Sequence, residues 1–123
     1  MSRIERFEDL RCWQSARRLA NKVYDLTAGV EFRRDLRLSG QIQGAAGSVM
    51  HNIAEGFDSG SDTEFVRFLR ISRRSASEVQ SQLYLALDLG YIRRDDLEQV
   101  YDLADDVKKC INGLIRYLNR NRH

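Results

Sequence analysis

The 123-residue chain contains no proline, and this absence favours one class of structure. Proline removes a backbone donor and clashes with the preceding helical turn, so a chain built of helices has little use for it. No apolar run approaches the ~20 residues that cross a bilayer. Two cysteines are too few for a disulfide-stapled fold, and residues 1–6 lack the apolar stretch of a secretory signal. We therefore expect a cytoplasmic protein without membrane contact, in which Cys12 and Cys110 are free, buried thiols.

Charge of neither sign dominates, because 20 basic residues face 18 acidic ones and the net charge is +2. The distribution is nevertheless uneven. Residues 95–106 carry six acidic groups and no basic one, whereas residues 107–123 carry five basic groups and no acidic one. Arginine supplies 17 of the 20 basic residues, and its planar guanidinium suits two-pronged contacts with carboxylate or phosphate. This bias fits nucleic-acid binding and salt bridges between subunits equally well.

Apolar residues recur at steps of three and four along almost the whole chain, which indicates amphipathic helices. The pattern predicts four of them, over residues 8–28, 33–55, 62–89 and 95–120. Long helices joined by short connections are typical of an antiparallel, up-down-up-down four-helix bundle. No strand pattern, repeat or low-complexity tract competes with this interpretation. The predicted fold is therefore a single all-α domain over residues 1–123.

Two of the predicted helices carry patterns that suggest how they pack. The third has an apolar heptad seam over residues 65–86, and Ser61 with Glu64 forms the capping box that opens it. The second repeats small residues at every fourth position, namely Gly40, Gly44 and Ser48. Small residues allow backbones to approach closely, so we expect another helix to pass near this face.

Arginines on the third helix form the first candidate binding surface. At 100° per residue, Arg67, Arg70 and Arg74 lie opposite the apolar seam, and Arg73 lies on the flank. No acidic residue occurs between residues 65 and 77, so these side chains could follow phosphates, and weak contacts would add up over the subunits of an oligomer. The alternative is a solvated face, or a set of partners for the acidic segment 95–106 of a neighbouring subunit.

The second candidate surface is the basic end of the fourth helix, with Lys108, Lys109, Arg116 and Arg120. A basic tail could anchor RNA or DNA without sequence preference. Cations in the last turns of a helix are equally what the helix dipole favours. Both interpretations stay open on the sequence alone.

Residues 51–56 are the one stretch in which polar groups could support chemistry. His51 and Glu55 are four residues apart, but no second histidine completes a metal site, and no phosphate loop or nucleophile–base pair occurs. We therefore expect no catalytic residue, no metal and no cofactor. Asn52, Glu55 and Gly56 are interpreted as a structural motif that bonds helix ends and loop amides and so holds the following turn.

Several stretches resemble the small four-helix bundle proteins encoded within intervening sequences of bacterial 23S ribosomal RNA genes. The most typical is Asn-Ile-Ala-Glu-Gly at residues 52–56, and the likeness runs from about Phe7 to Leu118. The other stretches that carry it are Phe7-Glu8-Asp9-Leu10 with Trp13, Phe68-Leu69-Arg70-Ile71-Ser72-Arg73, Leu89-Gly90-Tyr91 and Leu114-Ile115-Arg116.

The resemblance implies a left-handed bundle that assembles into a homopentamer and has no catalytic activity. It also implies similarity to the accessory protein of diversity-generating retroelements, which binds nucleic acid and works with a reverse transcriptase. We accordingly expect a non-enzymatic oligomer that binds RNA or DNA through its arginine faces. The alternatives are a scaffold that recruits another protein without nucleic acid, which the near-neutral charge favours, and an enzyme with an unrecognised site at residues 51–55.

Overall fold

A computed structural model describes residues 4–121, and every regular element in this range is helical. Residues 1–3, part of the N-terminal stretch considered above, and residues 122–123 lie outside the described residues. A 3-10 turn precedes the helices α1 (Arg11–Thr27), α2 (Val30–Arg34), α3 (Leu36–Phe57), α4 (Asp62–Asp88) and α5 (Arg94–Arg120). The prediction of an all-α fold is confirmed over the described residues.

The largest difference from the predicted boundaries lies at Asp35. In place of one helix over residues 33–55, a separate short helix ends at Arg34 and α3 begins at Leu36. Asp35 has the non-helical torsions φ −81° and ψ 83°, and its carboxylate accepts a hydrogen bond from the Leu38 amide at 3.0 Å. Asp35 is therefore the N-cap of α3, and this cap is what divides the predicted helix.

The other boundaries differ by smaller amounts. The first long helix begins at Arg11 instead of residue 8, because Leu10 is extended and the residues before it form the 3-10 turn Phe7–Asp9. The remaining ends lie within two residues of their predicted positions, which is the usual scatter at helix termini. The turn after α4 is a Schellman motif, with Gly90 at φ 79° and the Tyr91 amide bonded to the Ala86 carbonyl at 2.9 Å.

The four long helices contact one another in the cyclic order α1, α3, α4, α5 and back to α1. Between α3 and α4 the partners run in opposite directions along the chain, since Ser48 meets Ser75 whereas Gly56 meets Phe68. The apolar seam predicted for α4 is confirmed, because all of its positions are buried: Phe65, Leu69, Ser72, Ala76, Val79, Leu83 and Ala86. One apolar core therefore lies between the long helices.

Among the glycines of residues 4–121, the tightest contact with another helix is at Gly56 and not at Gly40 or Gly44 of α3. A Cβ atom placed on Gly56 would lie 2.8 Å from the Phe68 Cβ and 2.9 Å from the Phe65 ring. Cβ atoms on Gly40 and Gly44 would meet nothing within 4 Å. Within the chain, the prediction that another helix passes close to this face is therefore confirmed only at Ser48, whose hydroxyl bonds to Ser75 of α4 at 2.8 Å, and it is wrong at Gly40 and Gly44.

Replacing Gly56 with alanine should destabilise the fold by about 1–3 kcal/mol, because the added methyl overpacks the contact with α4. Gly113→Ala is the matched control, since a Cβ there would meet only an Arg116 nitrogen at 3.8 Å. The control should be neutral or stabilising by up to about 1 kcal/mol, the helix preference for alanine. Urea unfolding of both variants measures the difference, and equal stability would contradict the close contact.

Candidate nucleic-acid interface

The α4 arginine surface carries fewer free cations than the sequence indicates. Arg67 is exposed, but its Nε donates to the Glu64 carboxylate at 2.9 Å, and its guanidinium lies 4.6 Å from the centre of the Phe68 ring. The hydrogen bond from Arg67 lowers the pKa of Glu64. The Glu64 carboxylate therefore pairs with Arg67. Of the predicted capping box, only the hydrogen bond from the Glu64 amide to the Ser61 hydroxyl, at 3.2 Å, is formed.

The other α4 arginines divide into two kinds. The Arg73 guanidinium donates to the Asn112 side-chain oxygen at 2.7 Å and so links α4 to α5. Arg70 and Arg74 are exposed and have no hydrogen-bond or ion-pair partner among residues 4–121. The α4 surface thus offers two unpaired guanidinium groups, one helical turn apart.

The basic residues of α5 divide in the same way. The Lys108 ammonium donates to the side-chain oxygen of the buried Gln80 at 3.0 Å. Lys109, Arg116 and Arg120 are exposed instead. Their positions along α5 fall within roughly 40° of one face at 100° per residue. Three of the four predicted α5 cations therefore share a surface, whereas Lys108 is half-buried against α4.

Lys109 also lines a cavity between α1 and α5 that was not predicted from the sequence. The cavity has a volume of about 580 Å³ and is lined by Arg11, Gln14, Ser15, Arg18, Lys109 and Cys110. We call it the basic pocket, because three of these six residues are cationic and none is acidic. Guanidinium, ammonium, hydroxyl and amide groups meet here, which are the donors that phosphate oxygens accept from.

The pKa values of two thiols are shifted here, that of Cys110, which lines the basic pocket, and that of its neighbour Cys12. The Cys12 thiol hydrogen-bonds to Cys110 and is the main cause that lowers the pKa of Cys110 to about 7; the nearby Arg11 charge lowers it further, whereas burial opposes the shift. The same hydrogen bond, together with burial, raises the pKa of Cys12. Both cysteines are free thiols, as predicted, but Cys110 is only partly buried.

A sequence signal for the α1 side of the pocket does exist. Arg11, Ser15 and Arg18 follow the spacing i, i+4 and i+7, which places them on one helix face. Lys109 is almost a hundred residues further along, so only the packing of α1 on α5 brings it to this face. The pairing of helices, which periodicity does not reveal, was the missing information.

The motif at residues 52–56 makes contacts other than those predicted. Asn52 donates to the carbonyl and hydroxyl oxygens of Ser48, at 2.8 and 2.9 Å, and the Ser48 hydroxyl bonds to Ser75 at 2.8 Å. Asn52 therefore joins a polar link between α3 and α4 and does not bond loop amides. Glu55 is exposed, and Gly56 packs on α4. In the part of the chain that the structure describes, no group of three or more His, Cys, Asp or Glu residues could hold a metal ion.

Comparison with known proteins assigns the chain to a family. Residues 8–113 match the family of 23S rRNA-intervening sequence proteins, and the chain belongs to this family. Its fold is similar to the crystal structure of a protein with unknown function from the S23 ribosomal protein family of Bacteroides thetaiotaomicron VPI-5482, with a TM-score of 0.79 and 22% identity. That likeness covers 85% of this chain and 95% of the other, and it shows the fold alone. No curated protein matches the chain.

The resemblance stated from the sequence is thereby confirmed at the level of the family and the fold. Along residues 4–121, no helix combines the length and the apolar character needed to cross a membrane.

Arg73 and Arg74 form a matched pair for separating structural from surface arginines. Arg73→Ala should lower the free energy of unfolding by about 1 kcal/mol, because it removes the hydrogen bond to Asn112 that joins α4 to α5. Arg74→Ala removes an exposed arginine without a partner in the described range and should leave stability within about 0.5 kcal/mol of wild type. Chemical denaturation followed by circular dichroism gives both values. A larger destabilisation by Arg74→Ala than by Arg73→Ala would overturn the assignment.

Proposed function

We propose that the protein is a non-enzymatic, cytoplasmic nucleic-acid-binding protein, which works as a homopentamer of antiparallel four-helix bundles and binds RNA. The basic pocket is the observation that carries this proposal. Arg11 and Arg18 from α1 and Lys109 from α5 converge on one cavity whose lining contains no carboxylate. The packing of α1 on α5 brings these three cations to one place before any phosphate binds, and bringing binding groups together in advance favours affinity.

The surrounding surface supports an extended contact with a nucleic-acid backbone. Arg116 and Arg120 continue the Lys109 face along α5, and the eleven steps from residue 109 to residue 120 span about 16.5 Å at 1.5 Å per residue. The unpaired Arg70 and Arg74 add a second patch on α4. Arg73 and Lys108 are left out of the proposed interface, because their hydrogen bonds hold other helices together.

Assembly into a ring compensates for the low net charge of the chain. With a net charge of +2, one subunit is a weak binder of phosphate. An oligomer presents the same basic pocket several times, and linked weak contacts raise the overall affinity without any new contact. The pentamer is the assembly that the family resemblance implies. Residues later in α3 contact residues earlier in α4, and this order of contacts supports the antiparallel bundle.

A protein-interaction scaffold is the second candidate function, and exposed apolar residues favour it. Leu36 is 81% exposed, and Leu85 in the last turn of α4 and Leu89 at its C-cap are about half exposed. Large apolar side chains grouped on a surface are typical of contacts with another protein. On this alternative the same oligomer would recruit a protein partner and bind no nucleic acid.

Fluorescence anisotropy of labelled structured RNA, single-stranded RNA and duplex DNA tests the main proposal, at low and near-physiological salt. The Arg18→Gln/Lys109→Gln variant should bind RNA at least about tenfold more weakly, because two cations no longer bind phosphate. The slope of log affinity against log salt should become shallower by about 0.7 for each single-strand phosphate that the variant no longer neutralises.

The control is Arg33→Gln/Arg34→Gln, which removes the same charge from the exposed residues of α2. It should retain most of the wild-type affinity. Equal weakening by both variants would show that only bulk charge matters and would contradict the pocket. No binding at low salt, by an oligomer whose size light scattering confirms, would overturn the proposal and favour the scaffold.

A further inference from the structure

The two cysteines lie far apart in the sequence and meet across the contact between α1 and α5. Cys12 belongs to the first turn of α1 and Cys110 to the second half of α5. Cys110 packs against the core that contains Cys12, and it lines the same cavity as Arg11, the residue before Cys12. Each thiol also shifts the pKa of the other. The two cysteines are therefore neighbours across the contact between α1 and α5.

The surroundings of the two thiols are unequal. Cys12 is 3% exposed and is part of the apolar core, whereas Cys110 is partly exposed and lines the basic pocket. The charged and titratable groups around Cys110 are Cys12, Arg11 and Arg18 on α1 and Lys109 on α5. The Arg11 charge favours a thiolate at Cys110, and a thiolate with solvent access is what makes a cysteine reactive. Cys12 is shielded from solvent and keeps its proton.

We propose that Cys110 is a hydroperoxide-reactive thiol and that Cys12 is its resolving partner, so that oxidation closes a disulfide between α1 and α5. The basic pocket gives a small peroxide access to Cys110, because its volume of about 580 Å³ is many times that of one solvent molecule. The inference does not require nucleic-acid binding, because its tests measure the two thiols in the absence of any nucleic acid.

The reaction balances in two steps, with the hydroperoxide as the oxidant. The Cys110 thiolate attacks the terminal peroxide oxygen, the O–O bond breaks, and the leaving alkoxide or hydroxide takes a proton from water. Cys110 is then a sulfenic acid. The Cys12 sulfur attacks the Cys110 sulfur, the S–O bond breaks, and the departing hydroxide leaves as water with the Cys12 proton. Two thiols and one hydrogen peroxide thus give one disulfide and two waters.

Stoichiometric oxidation of the full-length protein tests the pair directly. The reduced protein is treated with one equivalent of hydrogen peroxide and examined by intact mass and thiol titration. We expect both thiols to disappear, the mass to fall by ~2 Da for the two hydrogens removed, and the chain to stay monomeric on a non-reducing gel. Two free thiols after treatment, or a disulfide between chains, would overturn the proposal.

Single substitutions assign the two roles. Cys12→Ala should stop at the sulfenic acid of Cys110, which a dimedone adduct traps, because no resolving thiol remains. Cys110→Ala should react far more slowly, as the remaining thiol is buried in the core. Equal peroxide rates for the two variants would contradict the assignment. Circular dichroism checks that both variants fold, and the wild-type stoichiometry does not depend on them.

The pH dependence of alkylation supplies a second measurement on the unchanged protein. The rate of iodoacetamide alkylation at Cys110 should rise with pH through a midpoint near 7, below the ~8.5 of an ordinary cysteine. Arg11→Gln should move the midpoint upward. Arg17→Gln, whose guanidinium lies over the Trp13 ring, is the matched control and should leave it unchanged. A wild-type midpoint at or above 8.5 would count against a reactive Cys110.

Discussion

A buried amide with three hydrogen bonds sets the register between α4 and α5, together with the bond from Arg73 to Asn112. Gln80 is 5% exposed, and its side chain donates to the Tyr101 carbonyl at 3.2 Å and to the Asp105 carboxylate at 2.8 Å, while it accepts from Lys108 at 3.0 Å. A buried amide without partners costs about 1–3 kcal/mol, so any sliding of α5 along α4 would have to leave these groups unpaired. The apolar contacts of the seam resist such sliding less sharply, because they have no direction. The amide therefore supplies the specificity that the hydrophobic contact lacks.

The same hydrogen bonds decide which cations remain available to a ligand. Successive residues of a helix point about 100° apart, so holding Lys108 against α4 turns Lys109 to a different side, where it lines the basic pocket beside α1. Arg73 is removed from the α4 surface in a similar way by its bond to Asn112. The candidate interface therefore excludes Arg73 and Lys108, whose side chains are hydrogen-bonded between helices. A list of basic residues taken from the sequence overestimates it for this reason.

Periodicity predicted what depends on one helix at a time, and it failed where two helices meet. The α4 seam and the Schellman turn at Gly90 follow from local spacing and capping, and both are present. Gly56 was interpreted as part of a motif that holds the following turn, while Gly40 and Gly44 were expected to face a neighbouring helix, because sequence spacing does not say which face lies against which helix. Glu64 was assigned to the capping box and not to Arg67, because it lies one position outside the acid-free segment, yet a residue three positions away on a helix is a direct neighbour. Predicting the basic pocket would have required knowing that α1 packs on α5, which no local sequence pattern shows.

The basic pocket connects the two proposals through one electrostatic field. Positive charge that stabilises a thiolate at Cys110 also attracts a phosphate, so the two anions compete for the same cations. A phosphate bound beside Cys110 would disfavour its thiolate and raise its pKa, and by linkage a thiolate would weaken the phosphate to the same extent. Oxidation to a disulfide removes the competing anion while leaving Arg11, Arg18 and Lys109 in place. Ionisation of Cys110 and phosphate binding therefore oppose each other at this pocket. Removal of the thiolate by oxidation should raise the affinity for phosphate.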